Sequence, residues 1–132
     1  MSRVFVDTAG YFALADHRDG NHSAALNVLR LLTTLHARSF TSNFVVAELH
    51  GLLLNRAGRD LAARILAEID SSTITIVRVS RKDEIIQQYA DKEFSLVDAT
   101  SFAIMERLRI SQAFTFDQHF AQFGFTLIRD SA

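Results

Sequence analysis

Four acidic residues, far apart along the chain, occupy positions from which they could act together: Asp7, Glu48, Asp98 and Asp117. Asp7 follows directly on the apolar run Val4-Phe5-Val6, and Asp117 follows Ala113-Phe114-Thr115-Phe116. Each therefore stands where a buried strand would end. Asp98 comes three residues after Ser95, the spacing of a capping box, in a first helical turn where the helix dipole favours negative charge. Glu48 has Phe44, Val45, Gly51 and Leu52 as its helical neighbours. A carboxylate in such company needs a partner or a polar crevice. Taken singly, each has a plainer explanation. Asp7 and Asp117 could cap the helices that follow them. Asp98 could serve only as a first-turn charge, and Glu48 could pair with Arg56 or Arg59. Brought together, the four would repel one another and raise each other's pKa. A hard divalent cation resolves that conflict. Mg²⁺ takes oxygen ligands at about 2.0–2.1 Å and keeps several waters, so one or two direct carboxylates suffice and the others can act through water.

The elements that must position these residues alternate between strand and helix. Arg3–Asp7 reads as a buried strand and Ala9–Ala15 as a short apolar helix, closed by the turn-rich Arg18-Asp19-Gly20-Asn21. Asn21 is placed to cap a helix with Ala24, Ala25, Val28, Leu31, Leu32 and Leu35 on one face. Ser39–Thr41 is a short strand. Ser42 or Asn43 caps a helix through Val45, Val46, Leu49, Leu52 and Leu53, which stops near Gly58. A further helix carries Leu61, Ile65, Leu66 and Ile69. The β-branched run within Ser72–Val79 reads as a strand, and Ser80 caps a helix to about Tyr89. The helix begun at Ser95 runs to about Leu108. Ala113–Phe116, Gln118–Gln122 and Phe125–Ile128 complete the order as strand, short helix and strand. This alternation predicts an α/β fold: one domain over residues 1–132, with a parallel sheet covered by helices on both faces. In such sheets ligands bind beyond the carboxyl ends of the strands, where Asp7 and Asp117 project.

Composition narrows the chemistry. The chain has 132 residues, 48% of them hydrophobic, with eleven Phe and no Cys, Trp or Pro. Disulfides and thiolate metal sites are excluded. Fourteen basic residues balance fifteen acidic ones, so no global basic field marks a nucleic-acid binder, although a local patch can coexist with an acidic site. Twelve of the fourteen are Arg, the residue suited to bidentate phosphate contact. Arg56, Arg59 and Arg64 are candidates for it, and a solvated helix face is the alternative. The first apolar run is too short for a signal-peptide core and no stretch approaches a membrane span. The expectation is a soluble cytoplasmic protein.

These residues resemble a known family. Val6-Asp7-Thr8, Ala47-Glu48, Ser95-Leu96-Val97-Asp98-Ala99, Thr115-Phe116-Asp117-Gln118-His119-Phe120 and Gly124-Phe125 are similar to the motif blocks of PIN domains, and among them of VapC-type toxins of bacterial toxin–antitoxin pairs. The resemblance spans Arg3 to Ile128. It implies a three-layer α/β/α fold, an acidic site at Asp7, Glu48, Asp98 and Asp117, binding of Mg²⁺ or Mn²⁺, and cleavage of single-stranded RNA. In that reading Asp7 and Asp98 are direct metal ligands, with Glu48 and Asp117 acting directly or through water. The resemblance also implies an antitoxin partner whose C-terminal segment occupies the groove, and a homodimer. Thr8 and Thr115 match frequent hydroxyl positions and are candidate substrate or phosphate contacts, with capping or strand packing as the alternative role. His119 matches a recurring position, and packing or capping is again the alternative.

The implied chemistry is metal-assisted hydrolysis without a covalent intermediate, leaving a 5′-phosphate and a 3′-hydroxyl. Other acidic sheet-edge sites fit less well. A receiver-type phosphoacceptor wants an acidic pair after the first strand, and here the strand ends Asp7-Thr8-Ala9. A haloacid-type phosphatase wants an Asp at position 9, which is Ala. No phosphate-binding Gly run or nucleophile elbow is present. The competing readings left are a PIN-like RNA-binding or assembly module without turnover, and a nuclease acting on DNA.

Overall fold

The computed structural model describes residues 2–84 and 94–129. In chain order the elements are β1 (Arg3–Val6), α1 (Thr8–Ala15), α2 (His22–Thr34), β2 (Arg38–Ser42), α3 (Asn43–Arg56), α4 (Arg59–Ser71), β3 (Thr75–Val77), α5 (Arg81–Glu84), α6 (Leu96–Leu108), β4 (Gln112–Phe114), α7 (His119–Phe123) and β5 (Thr126–Leu127). The helix expected from Ser80 to about Tyr89 is seen as α5; its continuation lies outside the described residues.

The five strands form one parallel sheet in the order β3-β2-β1-β4-β5. The chain builds outward from β1 through β2 to β3, then returns to add β4 on the other side of β1. The strand order therefore reverses between β1 and β4, and a crevice opens at their carboxyl ends.

The central strand is buried on both faces, and its side chains sort by the two-residue period of a strand. Val4 and Val6 join Ala13 of α1, Ala25, Val28 and Leu32 of α2, and Phe114. Phe5 faces the opposite way, with Phe102 and Met105 of α6, Phe120 of α7 and Ala113. Much of the Phe content is used here: Phe102 stacks on Phe123 at 4.8 Å and meets Phe120 edge-on at 4.8 Å. Helices thus cover both faces, as the sequence pattern requires. A third cluster joins Phe12 of α1 to Leu49 and Leu53 of α3 and Ala62 and Ile69 of α4, fixing α3 beside α1.

One close approach locks α1 to the sheet. A Cβ on Gly10 would lie 2.3 Å from the Phe114 carbonyl oxygen, so only glycine lets the first turn of α1 rest on the end of β4. The β-branched segment contributes a shorter strand than expected, Thr75–Val77. Among the described residues it is an edge strand, and it pairs with Phe40, Thr41 and Ser42. None of the described helices is long and apolar enough to cross a membrane.

Candidate active site

The crevice between β1 and β4 is lined by Asp7, Thr8, Glu48, Arg56, Asp98 and Asp117, with Phe12, Asp19, Asn21 and Leu52 among its other walls, and encloses about 240 Å³. All four predicted acids line it, drawn from β1, α3, α6 and the segment after β4.

Asp7 ends β1 and is 3% exposed. It stands at the N-cap position of α1, yet its side chain makes no capping bond. The capping explanation therefore fails for this residue. Instead the Thr115 hydroxyl donates to Asp7 Oδ2 at 2.8 Å, and Oδ1 has no hydrogen-bond partner among the described residues. Burial, opposed by the Thr115 and Thr8 hydrogen bonds and reinforced by the Asp98 and Asp117 charges, pushes the Asp7 carboxyl up to about 7. An acid left half-satisfied in a dry site costs free energy when ionised.

Thr115 organises both strand ends. Its hydroxyl also accepts the Asp117 backbone N–H at 3.1 Å. Asp117 Oδ1 accepts the His119 N–H at 2.9 Å, so this residue does cap the turn into α7. Capping and cleft lining coexist there. Asp98 lies in the first turn of α6, where the Ser95 hydroxyl accepts its N–H at 3.0 Å. Its carboxyl is raised, by burial first and then by the Asp117 and Glu48 charges, with His119 opposing.

Glu48 faces these acids from α3. Among the described residues it forms no ion pair; the alternative pairing with Arg56 or Arg59 is not made. Arg56 lines the same crevice, its guanidinium 5.4 Å above the Phe12 ring. Arg59 and Arg64 do not line it. Thr8 does, and its buried hydroxyl lacks a partner among the described residues.

Three polar or aromatic lining residues lie outside the set that the sequence marks as functional. Asn21 precedes α2 as expected but makes no side-chain cap bond; it borders the crevice instead. The others are Asp19, whose carboxylate accepts the Asn21 N–H at 3.0 Å, and the Phe12 ring. The Asp19-Gly20-Asn21 turn signal is visible in sequence, but only the folded position of the α1–α2 loop turns it toward the acids. His119 is also closer to the chemistry than packing would require. Donor atoms of Asp98, Asp117 and His119 lie within 4.8 Å of one another.

A parallel sheet with an acidic crevice at its reversal point is an arrangement that metal-assisted hydrolases of phosphate esters use. Residues 4–126 match the PIN domain model, and the chain belongs to the PIN domain family. It is 36% identical over 132 residues to the 23S rRNA-specific endonuclease VapC20 of Mycobacterium tuberculosis, covering 96% of this chain and 98% of that protein. It is 24% identical over 124 residues to ribonuclease VapC26 of the same species, covering 89% and 90%. The crystal structure of M. tuberculosis VapC20, described as a sarcin–ricin loop cleaving toxin, superposes with a TM-score of 0.86 at 32% identity, covering 96% of this chain and 99% of that one.

PIN nucleases use divalent metal ions, and the donor set here fits one. The unpartnered Asp7 Oδ1 and the clustered oxygens of Asp98 and Asp117 are hard donors of the kind Mg²⁺ or Mn²⁺ accepts.

Proposed function

We propose that this protein is a Mg²⁺-dependent endoribonuclease of the VapC toxin type, with Mn²⁺ able to substitute. The observation that carries the proposal is Asp7: a buried carboxylate with one oxygen bonded by Thr115 and the other left open among further acids. A structural carboxylate would have its second oxygen satisfied.

Asp7, Asp98 and Asp117 would hold the cation, with Glu48 completing its surroundings directly or through water. When bound, a divalent cation lowers the pKa of a water and polarises a phosphoryl oxygen. The chain's own residues do the positioning. Thr115 fixes the Asp7 carboxylate. Glu48 accepts a hydrogen bond from the attacking water and aims it at phosphorus. Arg56, held on Phe12, meets the phosphate flanking the cut. In-line attack expels the 3′ oxygen, which takes up a proton and leaves a 3′-hydroxyl opposite a 5′-phosphate.

The similarity to VapC20 makes a ribosomal RNA stem-loop the first substrate to test. The same similarity supports a cognate antitoxin partner, and a homodimer is the assembly we assign. The test incubates purified protein with 23S rRNA and with single-stranded DNA, with Mg²⁺ or EDTA. Expected is Mg²⁺-dependent cutting of RNA at defined positions with 5′-phosphate ends, absent from Asp7→Asn and Asp98→Asn. Products ending in a 2′,3′-cyclic phosphate would overturn the mechanism. RNA binding without cutting would leave a binding module, and cutting of DNA alone would reassign the substrate.

A further inference from the structure

Beside the crevice, Asp98 and Asp117 have a neighbouring donor that the acidic quartet does not include. We propose that His119 Nδ1 is a direct ligand of the divalent ion held by Asp98 and Asp117, giving the centre a nitrogen donor that favours Mn²⁺ over Mg²⁺. This rests on the reading above that the crevice holds such an ion.

The geometry is that of one coordination shell. His119 Nδ1 lies 3.1 Å from Asp117 Oδ1 and 3.8 Å from Asp98 Oδ2. Donors around an octahedral ion at about 2.1 Å stand roughly 3.0 Å apart when adjacent and roughly 4.2 Å apart when opposite. The 3.1 Å separation matches adjacent positions, and the 3.8 Å separation would have to close by several tenths of an ångström to do the same.

Nδ1 stands within ion-pair distance of both acids. It is buried and has no hydrogen bond among the described residues, although the side chain as a whole is 38% exposed. Its 3.1 Å approach to Asp117 lacks the direction a hydrogen bond needs. The ring is held in place from two sides. Its backbone N–H is bonded to Asp117 Oδ1 at 2.9 Å, and Phe94 meets the imidazole edge-on at 5.4 Å.

A second observation, independent of this cluster, points to a cation in the crevice that Asp98 and Asp117 line. Asp7 is 3% exposed and lines the same crevice with Oδ1 unpartnered among the described residues. The crevice thus offers an unpartnered oxygen at Asp7, and His119 sets a nitrogen against the two acids Asp98 and Asp117.

The donor type sets the selectivity. All-oxygen sites suit Mg²⁺, whereas imidazole shifts preference toward transition metals. Mg²⁺ dehydrates reluctantly and keeps waters, so a water replaces a lost imidazole at little cost to Mg²⁺. Mn²⁺ loses more.

The experiment is pulsed EPR of the tag-free, full-length protein loaded with Mn²⁺. The expected spectrum shows nitrogen modulation that changes on ¹⁵N-histidine labelling and is lost in His119→Gln. Of the five histidines in the chain, only His119 belongs to a donor cluster among the described residues, so the wild-type spectrum is decisive even if a variant misfolds. The Mn²⁺-over-Mg²⁺ affinity ratio, measured by competition, should fall roughly tenfold in His119→Gln. Bound Mn²⁺ without nitrogen modulation, or modulation that survives in a folded His119→Gln, overturns the assignment and leaves the metal reading standing. Failure of wild-type protein to bind either ion overturns both.

Discussion

Asp7 and Asp83 are withdrawn from solvent to the same degree, 3% and 2% exposed, and the protein treats them in opposite ways. Asp83 is fully answered. Arg107 of α6 donates to both of its oxygens, at 3.2 and 2.9 Å, and Ser80 donates to it through backbone and hydroxyl. Burial pushes its carboxyl upward, but the Arg107 and Ser80 bonds outweigh that and hold it below the usual range. Asp7 has one hydroxyl partner, no cation among the described side chains, and two acids nearby, and it is raised to about 7. Burial is common to both. The difference lies in whether the protein supplies the counter-charge or leaves it to a ligand.

Breaking the open member should have the larger effect. Asp7→Asn is expected to lower RNA cleavage roughly 100-fold or more. It should also stabilise the metal-free protein at pH 8. Folded Asp7 titrates near 7 and unfolded Asp near 3.8, so its ionisation opposes folding. The metal-free protein loses stability as pH rises between those values, by at most about 1.4 kcal/mol for each step of one in pH. Urea melts of EDTA-treated protein at pH 5 and pH 8 should show that loss in the wild type and a flatter response in Asp7→Asn. Added Mg²⁺ should restore the wild type alone.

Breaking the closed member should do the reverse. Asp83→Asn is expected to cost about 1–3 kcal/mol at pH 7, since it leaves Arg107 without its partner. Arg107 is 42% exposed, so water recovers part of that loss. Cleavage per folded molecule should be unchanged. Because Asp83 is held low, its contribution is present at neutral pH and is lost as pH falls through the folded-state value. Wild-type and variant melting curves should therefore converge in acid.

Two smaller changes sharpen the contrast. Gly10→Ala should cost about 1–3 kcal/mol, because the added methyl meets the Phe114 carbonyl and α1 must lift from β4. Mg²⁺ affinity, read by titration, should weaken with it. Thr115→Val keeps the shape but removes the hydroxyl that bonds both Asp7 and Asp117. About 1 kcal/mol of stability and roughly tenfold in cleavage should go with it, and Thr115→Ser should recover most of both.

What is legible in the chain follows the same physical lines. Asp7 and Asp117 stand out because they interrupt apolar strands where a parallel sheet ends. Glu48 stands out because its helix neighbours are apolar. The strand order does not, since local periodicity carries no information on which strands become neighbours. The hydroxyl bridge from Thr115 to Asp7 spans 108 residues and is hidden as a contact for that reason. Strand β3 is shorter than its sequence suggests, because a β-branched run reports suitability for a pleated surface, whereas pairing partners on β2 are found only for Thr75, Ile76 and Val77. Asn21 illustrates the converse: its place before α2 is as expected, but its side chain makes no cap and the residue borders the crevice.

The placement of β4 beside β1 has a consequence for the protein's biosynthesis. Strand β1 is made first, and the neighbour that completes its site is made only after β2, β3 and the helices between them. A chain emerging from the ribosome has Asp7 but no Thr115 to hold it and no Asp117 across from it. Long-range pairings of this kind form late in folding. If the proposed site is the active one, a nuclease built this way is inert while it is being translated and acts on RNA only when its fourth strand has docked.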